Sequence, residues 1–132
     1  MLCMNKYPQE YVDDCKQRLQ DQLAAYRELP AGPAREAFEP LFFNNLVLVL
    51  ESYFVHRTRG LEGKDGNPLN EVRLLSGSLL ENKQRFKTEK AIKYKPEASI
   101  LQFRVDDPIA LSEAQFSRLA EAFFAEIQRK FV

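Results

Sequence analysis

The 132-residue chain predicts a mainly α-helical domain, an antiparallel four-helix bundle with a small β-hairpin inserted before the last helix. Three observations predict it. Four segments carry apolar residues at spacings of three and four, the helical period. Proline-, glycine- and asparagine-rich stretches separate most of these segments, so the connections are short enough for antiparallel neighbours. One stretch before the last segment alternates apolar with polar residues instead, the period of a strand.

The first helix reads from Pro8 to Leu29, with Val12, Cys15, Leu19, Leu23 and Tyr26 on one face. Pro8 suits a first turn, where its missing N–H has no partner to lose, and Leu29-Pro30-Ala31-Gly32-Pro33 ends the helix. The second starts at Ala34 or Pro40 and reaches Arg57, with Pro40 either opening or kinking it. Phe38, Leu41, Phe42, Leu46, Val49, Leu50, Tyr53 and Phe54 cover more than half its circumference, which places it in the middle of the bundle. Asn44 and Asn45 interrupt that surface. Residues 60–66 hold three glycines and read as a loop. Asn67 then caps a third helix that has Pro68 in its first turn and runs to Asn82.

From Lys83 to Val105 the helical period fades. Ala91 to Tyr94 and Ile100 to Val105 read as the hairpin's strands, with Lys95 to Ser99 as the turn. Ser112 and Gln115 form a capping box for the last helix, and Leu111 can staple to Phe116. The expected core is Phe42, Leu46, Val49, Leu75, Leu79, Phe116, Leu119 and Phe123. The second helix, with Phe124 and Phe131, leaves apolar surface beyond one stripe, which predicts a homodimer.

Nineteen basic residues balance nineteen acidic ones, so no global field draws the chain to nucleic acid or an anionic membrane. Cys3 and Cys15 are too few for a disulfide scaffold and read as reduced thiols, and a lone histidine cannot complete a zinc site. Met1 to Lys6 lack the pattern of a signal peptide, and the longest apolar run, Leu46 to Leu50, is far shorter than the ~20 residues of a spanning helix. The expectation is a cytoplasmic protein with no membrane partner. No GxSxG, Walker A, GxGxxG or HExxH motif occurs, and nothing calls for a cofactor or a metal.

Two constellations could carry chemistry. His56 is the only histidine and the natural candidate for a base near neutral pH, with Glu51 and Arg73 as companions. The bland alternative is that Glu51 and Glu71 form ion pairs with Arg57, Arg59 and Arg73 inside the bundle. Residues 83–95 carry Lys83, Arg85, Lys87, Lys90, Lys93 and Lys95 against Glu89 alone, with Phe86 and Tyr94 interleaved. Lysines and arginines neutralise phosphates and aromatics stack on bases, so this segment is the candidate nucleic-acid patch. Lysines on an exposed hairpin also discourage edge pairing, which requires no ligand. Gly63 to Asn67 superficially looks like a phosphate-binding loop, but it follows a helix and lacks the Lys-Ser/Thr ending, so it reads as a connection.

The segment Leu69-Asn70-Glu71-Val72-Arg73-Leu74-Leu75-Ser76-Gly77-Ser78-Leu79-Leu80-Glu81-Asn82 resembles the signature helix of the HEPN superfamily, small helical bundles that often dimerise. The resemblance covers about fourteen residues. Asn70, Glu71, Arg73, Leu74, Leu75 and Asn82 match the flanks of its Arg-Asn-x-x-x-His motif. The motif's arginine, asparagine and histidine fall on Ser76, Gly77 and Glu81. The resemblance therefore implies a catalytically degenerate member, able at most to bind RNA or a nucleotide. Residues 42–82 also resemble an uncharacterised group of bacterial proteins, which brings no activity with it. Three readings stand open: a non-enzymatic interaction module, an RNA- or nucleotide-binding protein, and an enzyme built on His56.

Overall fold

A computed structural model describes residues 3–132. Five helices follow one another: α1 (Gln9–Arg27), α2 (Pro33–Tyr53), α3 (Arg59–Glu62), α4 (Pro68–Glu81) and α5 (Glu113–Phe131). The four long ones answer to the four periodic segments. The single-turn α3 lies within the stretch expected to be a loop.

The local signals at the helix starts operate as the sequence implies. Asn67 accepts hydrogen bonds from the backbone N–H groups of Leu69 and Asn70 at 2.9 and 3.1 Å, satisfying donors that a first turn leaves free. Ser112 and Gln115 form the reciprocal box: Gln115 N donates to the Ser112 hydroxyl at 3.1 Å, and Ser112 N to the Gln115 side chain at 3.0 Å. Helix α2 starts at Pro33 and runs through Pro40, which has no N–H to return to the preceding turn.

α4 packs against both α2 and α5, and α2 packs against α5. Phe43, Leu46, Leu50, Leu69, Leu75, Phe116, Leu119 and Phe123 lie between them, fully or almost fully buried. Aromatic edges fasten α1 to this core. Tyr26 stacks on Phe42 with ring centroids 5.6 Å apart and meets Phe43 edge-on at 4.9 Å. Met4 N donates to the His56 carbonyl and Thr58 N to the Met4 carbonyl, so the chain start is laid against the end of α2. Of the expected core, Phe42, Val49 and Leu79 are only half-buried. Phe124 and Phe131, expected to leave apolar surface, are buried within the single chain at 7% and 1% exposure.

The predicted β-hairpin does not form, and among the described residues there is no strand. The reason lies on α4. Glu71 accepts the backbone N–H groups of Ile100 at 2.8 Å and Leu101 at 2.9 Å, which a ladder would otherwise use. Gln102 and Asp106 then take positive φ values of 60° and 72°, breaking the extended run. Residues 83–111 instead form an irregular arm with one 3-10 turn, Pro96–Ala98. Its only pairing is a short antiparallel contact in which Phe86 N donates to Asp107 O and Ile109 N to Gln84 O, both at 2.8 Å.

Polar side chains on the bundle pin this arm down. Besides Glu71, the Asn44 amide donates to Ile109 O at 2.9 Å and accepts from Leu111 N at 3.1 Å. Ser78 accepts from Lys87 N at 2.9 Å. Gly66, at φ +88°, lies so close to the arm that a Cβ there would stand 2.5 Å from the Lys93 carbonyl oxygen. Each pin satisfies a buried or half-buried backbone group that no regular structure serves. Replacing Phe123 by alanine is expected to cost about 3–5 kcal/mol in denaturant unfolding, the usual penalty of an aromatic-sized cavity. Replacing Gly66 by alanine is expected to destabilise by about 1–3 kcal/mol through its left-handed backbone and the blocked arm contact, read in the same assay.

Candidate functional site

Glu51, His56, Arg57, Arg59 and Arg73, all singled out from sequence, lie around the junction of α2, α3 and α4, and Glu51, Arg57 and Arg73 meet in one buried cluster. Glu51 projects from the last turns of α2, Arg57 from the turn that follows, Glu62 from α3, and Asn70 and Arg73 from α4.

Glu62 is the hub and is fully buried. Arg73 donates to it through Nε at 3.1 Å and through a terminal nitrogen at 2.6 Å, a two-pronged contact suited to a planar guanidinium. The Asn70 amide donates to it at 2.8 Å. Arg57 Nε stands 2.9 Å away, close enough for an ion pair but not aligned for a hydrogen bond. Arg57 itself is buried; it donates to Glu51 at 3.0 Å and to the carbonyls of Phe54 and Leu69, and its guanidinium lies 5.6 Å from the centre of the Phe123 ring. Arg73 also lies 3.8 Å from Glu51. Two carboxylates therefore face two guanidinium groups, and a third, on the exposed Arg59, stands 3.9 Å from Glu62.

Burial alone would push the Glu62 carboxyl up, but the Arg73 hydrogen bond, the charges of Arg57 and Arg73 and the Asn70 amide outweigh it and hold the carboxyl below its usual range. Glu51 goes the other way. Its burial outweighs the pull of Arg57 and Arg73, and the nearby Glu62 charge adds to the rise. Glu71, read from the sequence as an ion partner of the same arginines, is held apart by its work on the arm. Burial raises its carboxyl, and the Ile100 and Leu101 N–H groups oppose that only in part.

His56 is not in the cluster. It is exposed, on the rim of a hollow of about 320 Å³ lined by Met4, Tyr7, Tyr11, Ser52, Tyr53 and Val55. The arrangement around Glu51 and Arg73 neutralises charge and ties three helices together, and it brings no imidazole to either residue. Arg57 was legible in the sequence as an ion partner. Glu62 was not, because an acid between glycines in a short turn gives no local sign that it points inward. Among the described residues no group of three or more His, Cys, Asp and Glu side chains converges as metal ligands.

The basic arm divides into two kinds of residue. Lys83, Arg85, Lys90, Lys93 and Lys95 are exposed. Lys87 is half-buried and lies 3.4 Å from Glu81 on α4, while Arg85 donates to the Asp106 carbonyl. The aromatics turn inward. Phe86 is fully buried, its ring 4.9 Å from Tyr94 and 5.9 Å from Phe103, and the Tyr94 hydroxyl donates to the Phe103 carbonyl at 2.6 Å. Glu97, Asp106 and Asp107 return along the same arm and dilute its positive charge.

A different surface is left without partners. Along the outer face of α2, Phe38, Leu41, Asn45 and Ser52 are exposed, as is Val55 just past the helix, and Leu48 is half-buried. Leu41 is 62% exposed, Val55 47% and Phe38 40%, and Leu29 lies beside Phe38 across a shallow hollow. Comparison of the chain with protein-family models, with curated proteins and with solved structures finds no match.

The cluster makes a signed prediction. Because the Glu62 carboxyl is held below its ordinary value near 4.5, its contribution to stability is complete above that pH and is lost as pH falls through the depressed value. Glu62→Gln is expected to cost about 3–5 kcal/mol at neutral pH, leaving the Arg57 and Arg73 guanidinium groups to share Glu51 alone. It should also flatten the acid limb of the stability curve, as measured by urea unfolding from pH 7 to pH 3.

Proposed function

We propose that the chain is a non-enzymatic helical interaction module that works as a homodimer through the outer face of α2. The observation that carries this reading is the outer side of α2, where Phe38 and Leu41 are exposed and Leu48 is half-buried, continued past the helix by the exposed Val55, while Phe43, Leu46, Val47 and Leu50 turn into the core. Large apolar side chains gathered on one face favour coverage by a partner over exposure to water. The buried state of Phe124 and Phe131 confines the argument to α2 and the adjoining Leu29.

The rival readings have less support. An enzyme built on His56 needs Glu51 or Arg73 beside the imidazole, and both are engaged in the buried ion cluster. An RNA-binding arm keeps its exposed lysines but has no free aromatic platform, since Phe86 and Tyr94 pack inward. The resemblance to HEPN domains fits this reading only as a catalytically degenerate relative. At the three motif positions stand a buried Ser76, Gly77 and an exposed Glu81, and an anion there would oppose a developing phosphorane charge.

Light scattering at micromolar concentration is expected to give a dimer mass. Leu41→Glu is expected to shift it to the monomer with an unchanged far-UV circular dichroism spectrum; a monomeric wild type would refute the reading. The purified protein is expected to leave single-stranded RNA intact in EDTA. Cleavage that survives chelation and vanishes in His56→Ala would show an enzyme instead.

A further inference from the structure

We infer that two copies pair through α2 in parallel, as a two-stranded seam in which Asn45 faces Asn45 of the partner subunit. This rests on the self-association reading and deepens it. Positions 38, 41, 45, 48 and 52 on the outer side of α2, all exposed except the half-buried Leu48, are separated alternately by three and four residues. That is the 3.5-residue repeat by which two helices keep one edge in contact. One heptad position is filled by Phe38, Asn45 and Ser52, the other by Leu41 and Leu48, with the exposed Val55 just beyond the end of the helix. The inner faces of the same helix are used by Phe43, Leu46, Val47 and Leu50, all buried, so the repeat is additional to the core pattern.

Two features choose the orientation. In a parallel pair Asn45 meets its own copy, and two amides can bond each other, the arrangement by which one asparagine in an apolar seam fixes register. In an antiparallel pair centred on the same seam, Asn45 meets Leu48, and Leu41 meets Ser52, which buries amide and hydroxyl against hydrocarbon. The apolar exposure is also uneven. Leu29, Phe38 and Leu41 lie toward the start of α2, next to a hollow lined by Leu29, Pro30, Ala31 and Pro33. Parallel pairing joins these two apolar ends, whereas antiparallel pairing sets each against the Ser52 and His56 end. Aligned helix dipoles oppose the parallel arrangement, but at exposed ends that effect is small and screened by salt. A seam about 21 Å long covers less than the roughly 800 Å² per partner of a standard interface, so the dimer is expected to dissociate on dilution.

Disulfide trapping of the full chain tests the inference. Cys3 is exposed and is replaced by serine, while Cys15 is buried and is kept. In that background Ser52→Cys places two thiols within bonding reach in the parallel pair, but about 16 Å apart along the axis in the antiparallel one. The comparisons are Leu41→Cys mixed with Ser52→Cys, and Ala24→Cys on the exposed side of α1 as a measure of random collision. The expected result is Ser52 self-linking at least tenfold faster than Ala24, with no excess of the mixed product. A mixed Leu41–Ser52 product that forms faster than either self-link overturns the parallel orientation and leaves the homodimer standing. Collision-level linking in a protein of dimer mass overturns this face of α2 as the contact. Collision-level linking in a protein of monomer mass overturns the self-association reading as well.

Discussion

A carboxylate with no access to water, Glu62, is the constraint on which the lower half of the molecule depends. It cannot stay charged in an apolar core without cations, so Arg57 and Arg73 must approach it, and the segments that carry them must approach each other. Removing either side would leave the other charge stranded. The one-turn helix α3 is thereby held where α2 and α4 come together, and Asn70 completes the shell from the first turns of α4. Such a cluster adds little net stability compared with a well-packed apolar substitute. What it provides is alignment, since the groups fit in one register only.

Polar fastening continues above it on the same helices. Glu71 and Ser78 on α4 and Asn44 on α2 receive the backbone of an arm almost thirty residues long that has hardly any regular hydrogen bonding of its own. The arm in turn presses Phe86, Ile92 and Ile109 into the core. Most of the bundle's inner polar residues are thus accounted for structurally, while the buried hydroxyls of Tyr7 and Ser76 have no hydrogen-bond partner among the described residues. This leaves exposed apolar surface, on the outer face of α2 and at Leu61, Leu80 and Val105, rather than any buried acid or base, without a structural role.

How much of this was legible in the sequence follows from how local each signal is. The caps at Asn67 and Ser112 act within three residues, and both were readable. The helical period of α1, α4 and α5 was readable for the same reason. The hairpin failed because the deciding group, Glu71, lies about thirty residues from the N–H groups it takes, and alternation of Leu101 and Phe103 with polar residues describes a half-buried irregular arm as well as a strand. Of the cluster, Arg57 and Arg73 were visible as ion partners for Glu51, while Glu62 had no local mark. The all-round apolar character of α2 signalled a surplus of apolar surface, but which phenylalanines were surplus depended on packing: Phe38 is outside, while Phe124 and Phe131 are inside.

The same long-range fastening bears on how the chain finds its structure. A plain helical bundle is rich in contacts between residues close in sequence and folds quickly for that reason. Here Met4 bonds to His56, Tyr7 to Phe131, and Asn44 to both Ile109 and Leu111. Each of these closes a loop of fifty residues or more before it gives anything back, and closure of that kind is paid in chain entropy. By its topology this protein is expected to fold more slowly than its helical content alone would indicate.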